Sequence, residues 1–222
     1  MTYNTTNRQK VLDGIEMLPG CPRRMIQRLY THSTERPKWL EYYLPRLEEE
    51  GKISSIRFNG EKVYQLGKKK PHKAHIPHNQ ICGRALLRVK DSATEVQFYS
   101  ESQLRGLKFG AIPEWGALFP KGTPLLFEGS TSDNKKRKML MENKIEQYEI
   151  NLFRFEEYFK AQPIVLFMID GLRSEVKNFA EEHQGDNFYY VDLASFFDVE
   201  KCNQLDAPIY IWGHDGGSYA LT

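Results

Sequence analysis

Two glutamates and one lysine near the middle of the chain have side chains that can hold a metal ion. Glu114 follows Pro113, Glu128 ends an apolar segment, and Lys144 lies in the basic helical segment that comes next. Carboxylate oxygens are the ligands that Mg²⁺ prefers, and a bound Mg²⁺ can activate water for cleavage of a DNA strand. Glu114, Glu128 and Lys144 are therefore the candidate catalytic residues, and the two glutamates are the candidate metal ligands.

Two segments that contain histidine are further candidates for a functional site, one for metal binding and one for catalysis. His72, His75 and His78 form an H-x₂-H-x₂-H pattern, and imidazoles this close in sequence can bind zinc or nickel. Prolines interrupt this segment and no cysteine pair lies nearby, so the pattern favours a solvated linker, with His78 starting the next helix or strand. His214 and Asp215, in the glycine-rich segment "GHDGGS", form a secondary catalytic candidate in what we interpret as a turn.

The acids and the lysine lie in a segment that is typical of a mixed α/β domain. The apolar segments "TPLLFEG" and "PIVLFMI" predict buried strands. Between them a long helix is predicted from one apolar stripe, which consists of Met141, Ile145, Tyr148, Leu152 and Phe155. Residues 80–222 follow the order α-β-β-α-β-α-β-β, with "PIYIWGH" as the last strand, which predicts a mixed sheet with helices on its faces.

The first third of the chain has a different pattern. Three helices are predicted, the first with Val11, Ile15 and Leu18 on its apolar side. Pro45 is expected to kink the third helix or shift its boundary. Two alternating segments then flank Asn59-Gly60, a strong signal for a tight β-hairpin. Three helices followed by a hairpin predict a winged helix-turn-helix in residues 1–70, joined by a basic linker at 71–79 to the α/β domain at 80–222.

Charge supports a role for this first domain in binding double-stranded DNA. Residues 1–73 hold 15 Lys and Arg against 8 Asp and Glu, a net charge of +7, and the remaining residues hold 16 against 21, a net charge of −5. A basic domain of this type favours DNA binding over protein docking, although both uses occur. The candidate DNA-contacting residues are Arg23, Arg24, Arg36, Lys38, Arg46, Arg57 and Lys62.

The order and spacing of several segments resemble the replication-relaxation family, whose members occur on plasmids, conjugative elements and phages. The resemblance covers most of the chain and is carried by "HNQICGRALLRV", "IPEW", "LLFEGST", "NKIEQYE" and "PIVLFMIDGLRSEV" after the N-terminal domain. It implies a second domain similar to the PD-(D/E)xK nuclease fold, in which two acids hold Mg²⁺ and a lysine follows the second acid by two residues.

Compared position by position, this sequence departs from the family pattern. Glu114 stands where the family has Asp, and Glu128 matches the strand acid. Ser130 occupies the position of the nuclease lysine, or of the family's second acid. Lys144 can substitute only if its side chain extends from the predicted helix towards the sheet. The resemblance therefore implies a nuclease-like domain that has lost activity, with no cofactor, or with Mg²⁺ if activity remains.

Other features limit the classes of function. The three cysteines are widely spaced, which favours a reducing compartment, and no segment is long and apolar enough to span a membrane. We expect a cytoplasmic protein that acts in replication, mobilisation or transcriptional control and forms a homodimer. Three hypotheses remain open: a DNA-binding protein with a degenerate nuclease-like domain, an active Mg²⁺-dependent endonuclease, and a protein-interaction adaptor.

Overall fold

The computed structural model describes residues 3–31, 37–92, 95–120, 122–130, 134–183, 185–193, 209–212 and 218–221. The chain divides into two compact units, Met1–Asp91 and Ser92–Thr222. Both units combine helices with a sheet, so the protein is mixed α/β, as predicted.

Within its described residues, unit 1 contains four helices and a small three-stranded sheet. Its elements are α1 (Tyr3–Met17), β1 (Cys21–Pro22), α2 (Arg23–Arg28), α3 (Lys38–Glu49), β2 (Ile53–Phe58), β3 (Glu61–Leu66) and α4 (Ile76–Ser92). The three strands are antiparallel in the order β1-β3-β2. The predicted hairpin is present, with φ of 46° at Asn59 and 80° at Gly60, the left-handed conformations that a two-residue turn requires.

The helices of unit 1 pack around one apolar cluster. Val11 and Ile15 of α1 are fully buried, and they share a cluster with Leu44 and Leu47 of α3. Periodicity predicted this packing because apolar residues at helical spacing share one face. Helix α3 runs through Pro45, which is exposed, so the proline does not end the helix.

Helix α4 begins at Ile76, inside the segment that the sequence suggested as a linker. Pro77 lies in its first turn, where a proline is tolerated because that backbone N–H has no partner within the helix. Leu87 of α4 packs with Leu18 and Met25 of the earlier helical region, and Gly83 allows this close approach. The first compact unit therefore includes most of α4 and extends to Asp91.

The part of unit 2 that the structure describes contains a seven-stranded sheet in the order β10-β9-β8-β7-β6-β5-β4. Its elements are β4 (Gln97–Ser100), α5 (Glu101–Gly106), β5 (Trp115–Leu118), β6 (Pro124–Ser130), α6 (Asn134–Phe159), β7 (Ile164–Ile169), α7 (Arg173–Glu182), β8 (Phe188–Asp192), β9 (Ile209–Trp212) and β10 (Ser218–Leu221). Strands β6, β7 and β8 are parallel and are connected through α6 and α7, whereas the outer strands are antiparallel. The mixed sheet is confirmed.

Two strands were absent from the predicted order. Strand β5 pairs with β4 and β6, and β10 pairs with β9, so the segment "PIYIWGH" is not the last strand. Both missed strands are four residues long, which is too short for a clear alternating pattern. The turn interpreted at 213–217, including His214 and Asp215, lies outside the described residues.

The core of unit 2 lies between the sheet and α6. Met141, Ile145, Tyr148 and Phe155 of α6 are buried against strand residues such as Phe167, as the apolar stripe predicted. Because α6 follows β6 directly and lies over it, side chains on the inner face of α6 can reach residues of β6 that point the same way.

Candidate functional site

Glu128 is placed in the interior of unit 2 by the alternation of strand β6. Leu126, two residues earlier, belongs to the core cluster that includes α6, so Glu128 points towards the same helix. Phe127 points to the other face and stacks on Trp115 of β5, with ring centroids 4.5 Å apart. Glu128 is consequently only 1% exposed, an unusual position for a carboxylate.

Two residues of α6 donate hydrogen bonds to the Glu128 carboxylate. The Nζ of Lys144 lies 2.5 Å from Oε2, and the hydroxyl of Tyr148 lies 2.8 Å from Oε1. Lys144 and Tyr148 are four residues apart, so they lie one above the other on the same side of the helix. Lys144 also donates to the carbonyl oxygen of Ile112 at 3.2 Å. The lysine therefore extends to the sheet, as its position beside the apolar stripe suggested.

Burial dominates the electrostatics of this cluster. Loss of solvation raises the pKa of the Glu128 carboxyl to about 7, and the charge of Glu114 adds to the rise, while Lys144 and Tyr148 oppose it. Burial acts to lower the pKa of the Lys144 ammonium, but Glu128, with Glu114, holds that pKa above its usual range. Burial and the Glu128 charge raise the pKa of the Tyr148 hydroxyl well above its usual range. Above about pH 7 the cluster is thus an ion pair with a neutral tyrosine.

Glu114 lies at the edge of the same cluster. It immediately precedes β5, where its backbone N–H donates to the carbonyl oxygen of Phe127 at 2.9 Å, and its side chain is half-buried. Its charge raises the pKa values of both Glu128 and Lys144, which places it within electrostatic range of each. The fold thus brings all three candidate catalytic residues into one region.

The geometry of Glu128 does not fit a Mg²⁺ ion. This ion requires near-octahedral oxygen ligands and keeps several of its waters. Each carboxylate oxygen of Glu128 already accepts a hydrogen bond from the protein, and the side chain has almost no access to solvent. Ser130, two residues after Glu128, is also buried. A hydrated ion would have to displace Lys144 and Tyr148 from the two oxygens of Glu128.

The candidate DNA-contacting residues of unit 1 divide into two groups. Those with acidic partners are Arg23, which pairs with Glu41 at 3.1 Å; Arg24, which pairs with both oxygens of Glu61 at 2.8 and 2.9 Å; and Lys62, which pairs with Glu48 at 2.6 Å. The guanidinium of Arg46 lies over the Tyr42 ring, 3.6 Å from its centroid. The ion pairs neutralise part of the positive charge that a count of basic residues treats as available to bind DNA phosphates.

Lys38 and Arg57 form the second group. Both are exposed, and neither forms an ion pair with another described residue. Arg36 lies outside the described residues. The segment that follows β3 adds further exposed cations that were not among the candidate DNA-contacting residues: Lys68, Lys69, Lys70 and Lys73. The run of lysines in the sequence was the available signal for them.

The three histidines are in two environments. His72 and His75 are exposed, with ring centroids 5.1 Å apart. His78 lies on α4, where its Nε2 is 3.6 Å from the sulfur of Cys82. Within the described ranges, neither His72 nor His75 belongs to a group of three side chains whose ligand atoms lie close enough together to hold one metal ion.

No helix within the described ranges has the length and the apolar character needed to cross a membrane. Comparison with protein-family models, with curated proteins and with solved structures finds no match to this chain. The site itself is therefore the basis on which its function is inferred.

Proposed function

We propose that the protein binds double-stranded DNA through unit 1 and that unit 2 is a nuclease-like domain that does not cleave DNA. The observation that carries the proposal is the arrangement of unit 1. Helices α1 to α3 precede the β2–β3 hairpin, and the sheet has the order β1-β3-β2. This order is typical of a winged helix, in which the third helix enters the major groove and the hairpin contacts the DNA backbone.

The distribution of charge supports the same proposal. Lys38 lies at the start of α3 and Arg57 lies on the hairpin, and both are exposed. Lys68, Lys69, Lys70 and Lys73 continue the exposed positive charge beyond the hairpin. Cations on these elements can contact phosphates on both sides of a groove, and such contacts supply most of the affinity for DNA of any sequence.

The state of Glu128 supports the absence of cleavage. Its two oxygens are held by Lys144 and Tyr148, and Ser130 replaces the residue that would complete a nuclease site. Through these two hydrogen bonds Glu128 links β6 to α6. We therefore assign unit 2 a structural or partner-binding role, and the resemblance to the replication-relaxation family suggests a replication, mobilisation or transcription complex of a plasmid or other mobile element.

DNA binding is tested by fluorescence anisotropy with a labelled duplex over a range of salt concentrations. Affinity should fall steeply with salt, and the Lys38→Ala and Arg57→Ala variants should each reduce the slope of log K against log salt by about one phosphate contact. Lys177→Ala, which removes an exposed cation from unit 2, is the matched control and should change nothing. An affinity that does not respond to salt would contradict the proposal.

A Mg²⁺-dependent endonuclease is the second candidate function, and one observation favours it. Lys144 lies beside Glu128 and within electrostatic range of Glu114, so in an active site this lysine of α6 would take the place of the lysine missing at Ser130. Incubation of the protein with supercoiled plasmid and Mg²⁺ or Mn²⁺ tests this function. Nicking by the wild type that is lost in Glu128→Gln would establish the endonuclease. If neither nicking nor DNA binding is observed, the adaptor function is favoured.

A further inference from the structure

Helix α3 carries an exposed arginine that is stacked on an aromatic ring. The guanidinium of Arg46 lies over the ring of Tyr42, one helical turn earlier, with its central carbon 3.6 Å from the ring centroid. At this distance the planar guanidinium lies flat on the ring, because an edge-on approach would press its nitrogens into the ring carbons. Among the described residues Arg46 has neither an ion pair nor a side-chain hydrogen bond. Its N–H groups, which lie in the plane of the guanidinium, are therefore available to a ligand.

The stack lies on the side of α3 that faces away from the core. The buried residues of this helix are Leu40, Tyr43, Leu44 and Leu47, whereas Tyr42 is 46% exposed. Tyr43 packs edge-on against Tyr42, with ring centroids 4.9 Å apart, and so connects the stack to the core. Lys38, Tyr42 and Arg46 are exposed and lie four residues apart, which places them in one row along the outer side of the helix.

The surroundings of Arg46 favour a neutral acceptor over a phosphate. Arg46 lies in the last turn of α3, where the helix dipole places partial negative charge. The exposed Glu49 lies three residues further on the same side. Both features repel a charged phosphate more strongly than the uncharged edge of a base. At the other end of the row Lys38 lies at the helix N-terminus, and Glu41 beside it is paired with Arg23 at 3.1 Å, so that end suits a phosphate.

We propose that Arg46 makes a base-specific contact to a guanine and that Tyr42 is its positioning residue. The inference rests on the proposed binding of double-stranded DNA by unit 1, in which α3 enters the major groove. Guanine presents two acceptors there, O6 and N7, and the edge of a guanidinium donates to both at once. The Tyr42 ring covers the face of the guanidinium and leaves that edge uncovered. Because the stack exists before DNA arrives, less side-chain freedom is lost on binding.

The experiment begins with selection of duplexes from a randomised library by the full wild-type chain. Fluorescence anisotropy at one salt concentration then gives the affinity for a selected duplex and for duplexes in which each G·C pair of its motif is replaced in turn by A·T. For the wild type, one replacement should weaken binding roughly ten- to a hundredfold. Arg46→Ala should bind that replaced duplex and the selected duplex with affinities within about twofold of each other, while its response to the other replacements stays that of the wild type.

Two tyrosine variants test the positioning role. Tyr42→Ala removes the ring and should reduce the discrimination at the same base pair by about two- to fivefold, whereas Tyr42→Phe keeps the ring and should retain it. Arg154→Ala is the matched control, because Arg154 is an exposed arginine of unit 2 whose guanidinium lies 5.7 Å from the centroid of the Phe153 ring. This control should leave every affinity unchanged. Thermal unfolding of each variant shows whether the fold is retained.

The base contact is overturned if Arg46→Ala weakens binding to every duplex by the same factor, which is the behaviour of a phosphate contact. It is also overturned if Arg46→Ala leaves every affinity unchanged, because this side of α3 then lies outside the groove or binds a protein. Full discrimination by Tyr42→Ala, or its loss in Tyr42→Phe, would overturn the role of the Tyr42 ring.

The same measurements separate the base contact from DNA binding by unit 1. A wild type that binds no duplex would contradict both. Salt-dependent binding in which no guanine depends on Arg46 would contradict the base contact alone and would leave the proposed function in place.

Discussion

Each unit contains a lysine–glutamate hydrogen bond of nearly the same length, and the two differ mainly in their exposure to water. In unit 1 Lys62 and Glu48 are 2.6 Å apart, with 48% and 32% of their side chains exposed. In unit 2 Lys144 and Glu128 are 2.5 Å apart, but only 33% and 1% of their side chains are exposed. Each glutamate accepts a further hydrogen bond from a hydroxyl, of Ser55 in unit 1 and of Tyr148 in unit 2.

The environment reverses the direction of the pKa shift. Burial opposes ionisation of Glu48, but the hydrogen bonds from Lys62 and Ser55 outweigh it and lower the pKa of its carboxyl. For Glu128 burial is the larger effect, and the pKa rises to about 7 despite the same kinds of partners. Two similar contacts thus have opposite dependences on pH, because the cost of desolvation, and not the partner, decides the sign.

The largest expected effect is the loss of one partner from the buried pair. Glu128→Ala leaves the Lys144 ammonium and the Tyr148 hydroxyl facing an apolar interior without their acceptor. Removal of one partner of a buried pair typically lowers the free energy of unfolding by about 3–5 kcal/mol. Urea denaturation of the variant and the wild type measures this difference. The double variant Glu128→Leu/Lys144→Met removes both charges and should recover most of the loss; a double variant as unstable as the single one would contradict this account.

The second largest expected effect is the dependence of the unfolding free energy on pH through the titration of Glu128 in unit 2. The pKa of Glu128 is about 7 in the folded state and 4.5 in the unfolded chain. Between pH 4.5 and about pH 7 the folded state therefore keeps a proton on Glu128 that the unfolded chain has lost. The contribution of Glu128 to stability is therefore complete below pH 4.5 and is lost as the pH rises through about 7, a change of about 3 kcal/mol. Unfolding free energies of the wild type and of Glu128→Gln at several pH values between 4 and 8 measure it.

Glu128→Gln is the appropriate comparison because it keeps the shape of the side chain but does not titrate in this range. The wild type should lose stability relative to this variant as the pH rises from 4.5 to about 7. Parallel pH profiles for the two proteins would show that the pKa of Glu128 is not raised in the folded state.

A smaller effect is expected from the tyrosine. Tyr148→Phe removes the hydroxyl that donates to Oε1 of Glu128 and keeps the buried ring. A hydrogen bond to a charged acceptor contributes about 1.5–3 kcal/mol, so the variant should be destabilised by this amount at pH 8, where Glu128 is ionised. The loss should shrink at pH 5, where the carboxyl is protonated. Urea denaturation at the two pH values tests both statements, and an equal loss at both would contradict them.

Part of this site could be predicted from the sequence. The apolar stripe of α6 placed Lys144 at its edge, and the structure confirms that the lysine extends to Glu128. The role of the Tyr148 hydroxyl could not be predicted, because a tyrosine within an apolar stripe looks like any other core residue. Its acceptor is 20 residues earlier, on a different element.

The surface of unit 1 was harder to predict than its elements. Helical spacing and the Asn59-Gly60 turn identified the helices and the hairpin because these signals are local in sequence. The ion pairs of Arg24 with Glu61 and of Lys62 with Glu48 join residues of different elements. A count of charges in the sequence cannot show such pairing. The structure was therefore needed to identify which basic residues have no acidic partner among the described residues.

The smallest effect is expected at the exposed pair, and it completes the comparison with Glu128. Lys62→Ala or Glu48→Ala removes an ion pair that water already screens, so the free energy of unfolding should fall by about 0–1 kcal/mol. Because the pKa of Glu48 is lowered in the folded state, its contribution is present above the pKa of the unfolded chain and is lost as the pH falls, the reverse of Glu128. Urea denaturation of Glu48→Gln at pH 7 and pH 3 measures both the size and the sign. A loss as large as that of Glu128→Ala would mean that exposure does not explain the difference between the two pairs.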